Sequence, residues 1–395
     1  MKHGTLTLIA GLLGLIVGLA LPESVPYYAF LGKIFISLLK VLLIPFVAAS
    51  LFLALSKVDS THQLKSLSVK TALYYISTSA LACVVGLSLA NFFLSDVTQI
   101  ASITFEKYQA TNVMSFSSQD YVSNFIPSNI VQSIASSNVV HVVFFTLFIG
   151  AVSTVMDPLK KKPLVDMTES FYELLNLCLK FIIKMAPLGV FALVAETMAQ
   201  TDTSVFSTLG SFFLATGLAC LIHSLITLPM IGYTIGRFNA FHFLFKVKDA
   251  LIVAISTASS SATMPVSLYC LEENAGVAKS TTRFTVPIGT TLNMDGSALY
   301  QALVVILLAN VSGMDLALSK QIFVFFLVMI SSAGAAGIPG GGIMVVSMIL
   351  QTIGVPLELI GLFLLVDRFW DYPVTAVNVW GDLIGAKVVD SRLRS

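Results

Sequence analysis

Between Val366 and Val389 the chain reads VDRFWDYPVTAVNVWGDLIGAKVV, a stretch of membrane-crossing length that carries three aspartates and an asparagine among apolar residues. At about 100° per residue of α-helix, positions 367, 371, 378 and 382 fall within roughly 60° of one another. Val374 and Thr375 share that stripe or its edge. Ionisable side chains inside a bilayer are costly, so such a face turns toward protein and marks an ion or substrate pathway. A helix end at headgroup level accommodates Asp367 and Arg368, but not Asp371, Asn378 and Asp382 together.

The rest of the chain supports a membrane frame. It is 56% hydrophobic and 11% charged, where a soluble domain is about 45–50% apolar and about 25% charged. A net charge of +1 argues against a nucleic-acid partner. Cys83, Cys178, Cys220 and Cys270 are scattered in or beside apolar segments, which fits buried free thiols and no disulfide framework. The histidines and cysteines form no nucleophile–base pair or metal spacing, so an enzyme is disfavoured.

Apolar segments are expected to cross near the N-terminus and at about 27–56, 69–96, 129–157, 166–200 and 205–236. The N-terminal run resembles a secretory signal, but more membrane follows it, so it reads as a retained first span. Short loops with Lys57, Lys65 and Lys70, then Lys160, Lys161 and Lys162, then Arg237, Lys246 and Lys248, mark the cytoplasmic side, as does the C-terminal SRLRS. The polar, serine-rich residues 97–128 read as an exterior loop. In the third span Tyr75, Thr78 and Ser79 share one face; hydroxyls there bond back to a helix or coordinate an ion, and the spacing alone leaves both open.

From about residue 245 the spans become interrupted. LIVAIS ends in TASSSATMP and resumes only briefly before LEEN; TVPIGTTLNMDGSALYQALVVILLAN is broken at Asn293-Met294-Asp295-Gly296. Then IFVFFLVMISSAGAAGIPGGGIMVVSMIL carries glycines at 334, 337, 340, 341 and 342 around Pro339, too many breakers for one helix. The order is hairpin, broken helix, hairpin, polar helix. Paired interruptions of this kind are the mark of inverted repeats that build a midplane site. Broken helices expose carbonyls which, with Asp295, Asp382, Asn293 and Asn378, form a hard-oxygen set suited to Na⁺ or a proton. A serine-rich half-helix N-terminus at Ser259-Ser260-Ser261 suits a carboxylate, and Asp371 suits an ammonium. Together these parts describe a zwitterionic amino acid coupled to a cation.

TASSSATMP, NMDGSALYQ, AAGIPGGG and the D(x)6NVWGD pattern, in this order along essentially the whole chain, closely resemble the dicarboxylate/amino acid:cation symporters, the family of the glutamate transporters and neutral amino acid exchangers. That resemblance implies an all-α integral membrane protein of about eight transmembrane helices with two re-entrant hairpins, assembled as a homotrimer. A static scaffold (1–68 with helices one and two, 129–204 with helices four and five) would carry a mobile transport domain moving like an elevator. The transport domain would comprise the third helix within 69–128 and residues 205–395: a sixth helix, hairpin one (about 245–275), a broken seventh helix (281–310), a gating hairpin two (318–357) and helix eight (358–390).

By position the resemblance places Asp371 on the substrate amino group, with Ser260, Ser297, Asn378 and the backbone near Ile338 around the substrate and Val374 and Thr375 beside it. It implies roughly two or three Na⁺ ions and no organic cofactor. One site takes Asn293, Asn378, Asp382 and the Gly289 carbonyl; a second takes the carbonyls of Thr291, Ser332, Ala333 and Ala335; a third takes Tyr75, Thr78, Ser79, Asn293 and Asp295. Val374 stands where acidic-substrate members have an arginine, and Ala258 on the hairpin tip supplies no replacement. A buried side-chain carboxylate without a cation costs several kcal/mol. A neutral amino acid such as alanine, serine or threonine is therefore expected, with an acidic amino acid or an ion channel as alternatives. The short termini and loops point to a bacterial inner membrane.

Overall fold

The computed structural model describes residues 2–56, 62–94, 126–136, 139–199, 205–314, 316–332 and 341–394, and every regular element among them is helical. In chain order these are α1 (Lys2–Ala20), a 3₁₀ turn (Pro22–Tyr27), α2 (Ala29–Ser56), α3 (His62–Leu94), α4 (Ile130–Ala135), α5 (Val139–Ser153) and α6 (Pro158–Ala199). Then come α7 (Val205–Ile222), a π turn (His223–Thr227), α8 (Leu228–Thr234), α9 (Ala240–Thr257), α10 (Ser260–Tyr269) and a second π turn (Cys270–Asn274). The chain closes with α11 (Lys279–Leu292), α12 (Asp295–Val311), α13 (Leu318–Ser332), α14 (Gly341–Ile353), a 3₁₀ turn (Leu357–Leu359) and α15 (Ile360–Arg394).

Two groups of helices stand out, joined where α15 packs on α6 and α1 and where α14 packs on α2. In one, α1 and α2 lie along α6, and α5 packs on α2. In the other, α15 touches α3, α9, α10, α11 and α12, while α12 is enclosed by α3, α7, α13, α14 and α15. Apolar residues on all sides of α12 explain its place: every residue except Ser297 and Asn310 is buried. All four cysteines are free thiols.

By length and composition, Leu67–Leu94, Thr208–Thr234 and Lys279–Val311 can each cross a membrane; Pro158–Leu179 with Lys184–Glu196 forms a further candidate bent by 53°. Pro187 inside α6 cannot donate to the carbonyl four residues back, which accounts for the bend there. The spans expected at the N-terminus and over 27–56 are the helices α1 and α2, each containing shorter apolar stretches, and the stretch expected as one span over 129–157 holds α4 and α5. The basic loops are also shorter than expected. Lys65 and Lys70 lie within α3, and Lys160, Lys161 and Lys162 within the first turns of α6. Lys57 and most of 97–128 fall outside the described residues.

Two of the three expected interruptions fall on described residues, and both lie where the sequence places them. Helix α9 stops at Ala258, whose left-handed backbone (φ 48°, ψ 40°) costs a residue with a Cβ about 1–2 kcal/mol. The Ser259 hydroxyl accepts the Ala262 N–H at 3.2 Å and starts α10, so α9 and α10 fold back on each other. The break between α11 and α12 falls at Asn293 (φ −96°, ψ 83°) and Met294 (φ −110°, ψ 52°). Helices α13 and α14 also pack together; the tip between them, with Ala333, Ala335 and Ile338, lies outside the described residues.

One contact ties α15 to the first π turn. The Leu228 N–H goes to the His223 carbonyl, and Pro229 has no N–H for the Ser224 carbonyl. The Trp380 indole N–H donates to that carbonyl at 3.0 Å while its ring stacks on Phe243. Trp380→Phe keeps the stacking and removes the donor, so it should destabilise the protein by about 1 kcal/mol. Thermal unfolding in detergent, with Trp380→Ala as the larger lesion, measures it.

Candidate functional site

The polar stripe of α15 faces two adjoining polar centres. The first is a cavity at the meeting of α9, α10, α12, α14 and α15. Ser260, Ser297, Asp371, Val374, Thr375 and Asn378, the residues expected around a substrate, all line it, and Gly342 borders it from α14. Asn378 is held from both ends of its amide. Its Oδ1 accepts the Ser297 N–H at 3.2 Å, and its Nδ2 donates to the Ser297 hydroxyl at 3.1 Å. Pro373 inside α15 leaves the Phe369 carbonyl, four residues earlier, without its helical donor.

Three further polar lining residues escaped the sequence reading. Asp367, read as compatible with a helix end, lines the cavity with Asp371. Tyr300 and Gln301, on the first turns of α12, also line it. The Tyr300 hydroxyl and Gln301 Oε1 are buried without a hydrogen-bond partner among the described residues, which is costly unless a ligand or water completes them. Their place right after NMDGSAL was the available signal. Arg368, beside Asp367 in the sequence, forms an ion pair with Asp371, Nη1 to Oδ2 at 3.1 Å.

The second centre lies where the broken helix meets α3 and α15. Asn293, Asp295 and Thr78 are wholly buried, and Tyr75, Ser79 and Asp382 nearly so. The Thr78 hydroxyl donates to Asn293 Oδ1 at 3.1 Å, the Ser79 hydroxyl to Asp295 Oδ1 at 2.7 Å, and Asn293 Nδ2 to Asp382 Oδ1 at 3.0 Å. The Tyr75 hydroxyl goes elsewhere, to the Thr285 carbonyl at 2.9 Å. The Gly289 carbonyl accepts the Asn293 N–H at 2.9 Å. Thr291 sits on the last turn of α11 and Ser332 at the end of α13; Ala333, Ala335 and Ile338 lie outside the described residues.

His223 joins this centre unannounced. It is buried on the first π turn with Nε2 3.3 Å from Asp295 Oδ2, and its Nδ1 has no partner among the described residues. A single histidine in the apolar run LIHSLITLP was the signal, since an ionisable residue at membrane depth is a functional candidate by default.

The donor chemistry fits a hard cation. No cluster of three or more His, Cys, Asp or Glu residues that could hold a metal ion occurs among the described residues; the centre offers hydroxyl, amide and carboxylate oxygens instead, which favour alkali ions over soft metals. Two glycines leave room for it. A Cβ at Gly289 would run into the Asp382 carboxylate and fall 2.6 Å from the Tyr75 hydroxyl; one at Gly381 would fall 2.6 Å from both Asn293 Nδ2 and Asp295 Oδ2.

The model of the sodium:dicarboxylate symporter family matches residues 4–392. The chain belongs to that family. It is therefore a membrane transporter and not an enzyme. The proton/glutamate-aspartate symporter of Escherichia coli is 32% identical over 366 residues, covering 91% of this chain and 83% of the relative. The neutral amino acid transporter B(0) of Oryctolagus cuniculus is 30% identical over 426 residues, covering 96% and 78%. The proton/sodium-glutamate symport protein of Geobacillus stearothermophilus is 31% identical over 392 residues, covering 96% and 91%.

Gly381→Ala should crowd Asn293 and Asp295 and raise the Na⁺ concentration at half-effect at least tenfold. Gly210→Ala, where a new Cβ meets nothing within 4 Å, should leave it unchanged. Na⁺ titration of tryptophan fluorescence without substrate reads both variants.

Proposed function

We propose that this symporter couples inward Na⁺ movement to uptake, or Na⁺-dependent exchange, of a neutral amino acid such as alanine, serine or threonine. The observation that carries this reading is the cavity wall. It presents Asp371 for an ammonium, with Ser260, Ser297 and Asn378 around the remaining polar groups, and Val374 where a side-chain carboxylate would need a cation. No Lys or Arg lines it among the described residues, and residues 333–340, AGAAGIPG, contain none. Asn293, Asn378, Asp382 and the Gly289 carbonyl would take one Na⁺; Thr78, Ser79, Tyr75 and Asp295 with Asn293 another; the carbonyls of Thr291, Ser332, Ala333 and Ala335 a third, with Ile338 in the gate above the substrate. The Tyr75 hydroxyl would have to leave the Thr285 carbonyl to take part.

The wider architecture is proposed with it: about eight crossings, two re-entrant hairpins at α9–α10 and α13–α14, inverted repeats, and a homotrimer in a bacterial inner membrane. The group of α1, α2, α5 and α6 would serve as scaffold. The group around α12 and α15, with α3, would move as the transport domain of an elevator. Its support is a polar site whose lining comes from α9, α10, α12, α14 and α15 and from none of the proposed scaffold helices.

A second reading is an acidic amino acid substrate, as the names of the Escherichia coli and Geobacillus relatives state for those proteins. Arg368, 3.1 Å from Asp371, is the observation that favours it, since a displaced guanidinium can meet a carboxylate.

Proteoliposomes with an imposed inward Na⁺ gradient and a panel of labelled amino acids decide between them. The expected result is uptake of alanine, serine or threonine with glutamate excluded, abolished by Asp371→Asn. Val374→Arg should bring in glutamate. Glutamate uptake by the unaltered protein would overturn the neutral reading, and alanine uptake undiminished in Asp371→Asn would overturn the ammonium role.

A further inference from the structure

Arg368 and Asp371 are three residues apart on α15, with side chains only 18% and 22% exposed, and one guanidinium nitrogen approaches one carboxylate oxygen at 3.1 Å. Exposed pairs at this spacing contribute little and are incidental. This pair is different because its carboxylate lines the cavity while its guanidinium does not. A carboxylate that receives a substrate's ammonium faces a problem whenever the site is empty: an uncompensated charge in a buried setting opposes any movement through the membrane. Arginine solves it without a proton, because its charge is permanent. Placement on the same helix, one turn before Asp371, lets the counterion travel with the carboxylate in every position α15 adopts. The contact is also replaceable. A single-nitrogen contact lacks the two-point geometry that makes Arg–carboxylate pairs strongest, and it leaves Asp371 Oδ1 to an incoming ammonium.

We propose that Arg368 is the resident counterion of Asp371, holding it when the site is empty and yielding it to the substrate's ammonium, so that the empty carrier can return and net uptake can proceed. This rests on the reading of Asp371 as the ammonium acceptor. Sequence position put Arg368 near Asp367 at a helix end; the fold brings its guanidinium to Asp371, the carboxylate whose counterion would change through the cycle.

The test compares net uptake into empty proteoliposomes with exchange into proteoliposomes preloaded with the same amino acid. The probe is labelled L-alanine, or L-glutamate if the uptake panel selects it. Only net uptake requires the empty carrier to return. Arg368→Gln should lower the ratio of net uptake to exchange at least tenfold, and Arg368→Lys, which restores a positive charge, should bring the ratio back to within about threefold of the unaltered protein. A ratio unchanged in Arg368→Gln, or lowered equally in Arg368→Lys, overturns the counterion role. Asp371→Asn separates this failure from that of the underlying reading. If it still binds and transports, the ammonium role of Asp371 is wrong and the proposal falls with it; if it loses binding while Arg368→Gln keeps the normal ratio, Asp371 stands and Arg368 alone is overturned.

Discussion

Carboxylates buried at membrane depth survive only where neighbouring groups supply what water would have supplied. Asp295 and Asp382 are in that position, and much of the fold can be traced to their needs. Asn293, at the break between α11 and α12, donates to Asp382 and accepts from Thr78, while Ser79 donates to Asp295 and His223 approaches it from the other side. Four separate segments, α3, the first π turn, the α11–α12 break and α15, are drawn together by that single set of bonds. Remove the break and Asn293 would sit inside a continuous helix, its backbone committed and its side chain no longer free to join α3 to α15.

The same economy governs the neighbouring cavity. Asn378 spends both ends of its amide on Ser297, which fixes the start of α12 against α15. Asp382 lies one helical turn farther on the same stripe. A conformational shift at the buried centre of Asn293, Asp295 and Asp382 would therefore reach the cavity wall through two short connections, Asn293 to Asp382 and Asn378 along α15 and Asp295 to Ser297 along the first turn of α12. Coupling between a cation and a substrate needs some shared rigid element that both sites bias, and the first turn of α12 facing this part of α15 is the element the geometry offers.

Helix packing supplies the other half of the design. Apolar residues all round α12 demand a complete wrapping by neighbours, and five helices provide it. The group around α6 packs on α15 and α14 but lines no part of the cavity among the described residues.

Much of this was legible in the chain itself. The polar face at 371, 378 and 382, the break at Asn293-Met294 and the serine-capped turn at Ala258-Ser259 all follow from local rules of periodicity, breaker residues and capping, and the structure has each of them. The membership in a cation symporter family was likewise readable from NMDGSALYQ and the motifs around it. What the sequence could not decide were pairings between residues far apart or facing choices within a turn. His223 meets Asp295 across 72 positions, the Tyr75 hydroxyl selects a carbonyl 210 positions away, and Arg368 reaches Asp371 instead of its immediate neighbour Asp367. Periodicity states which face of a helix a residue occupies, but only the packing of other helices states what waits opposite that face, and long side chains settle their partners by reach and burial once that packing exists.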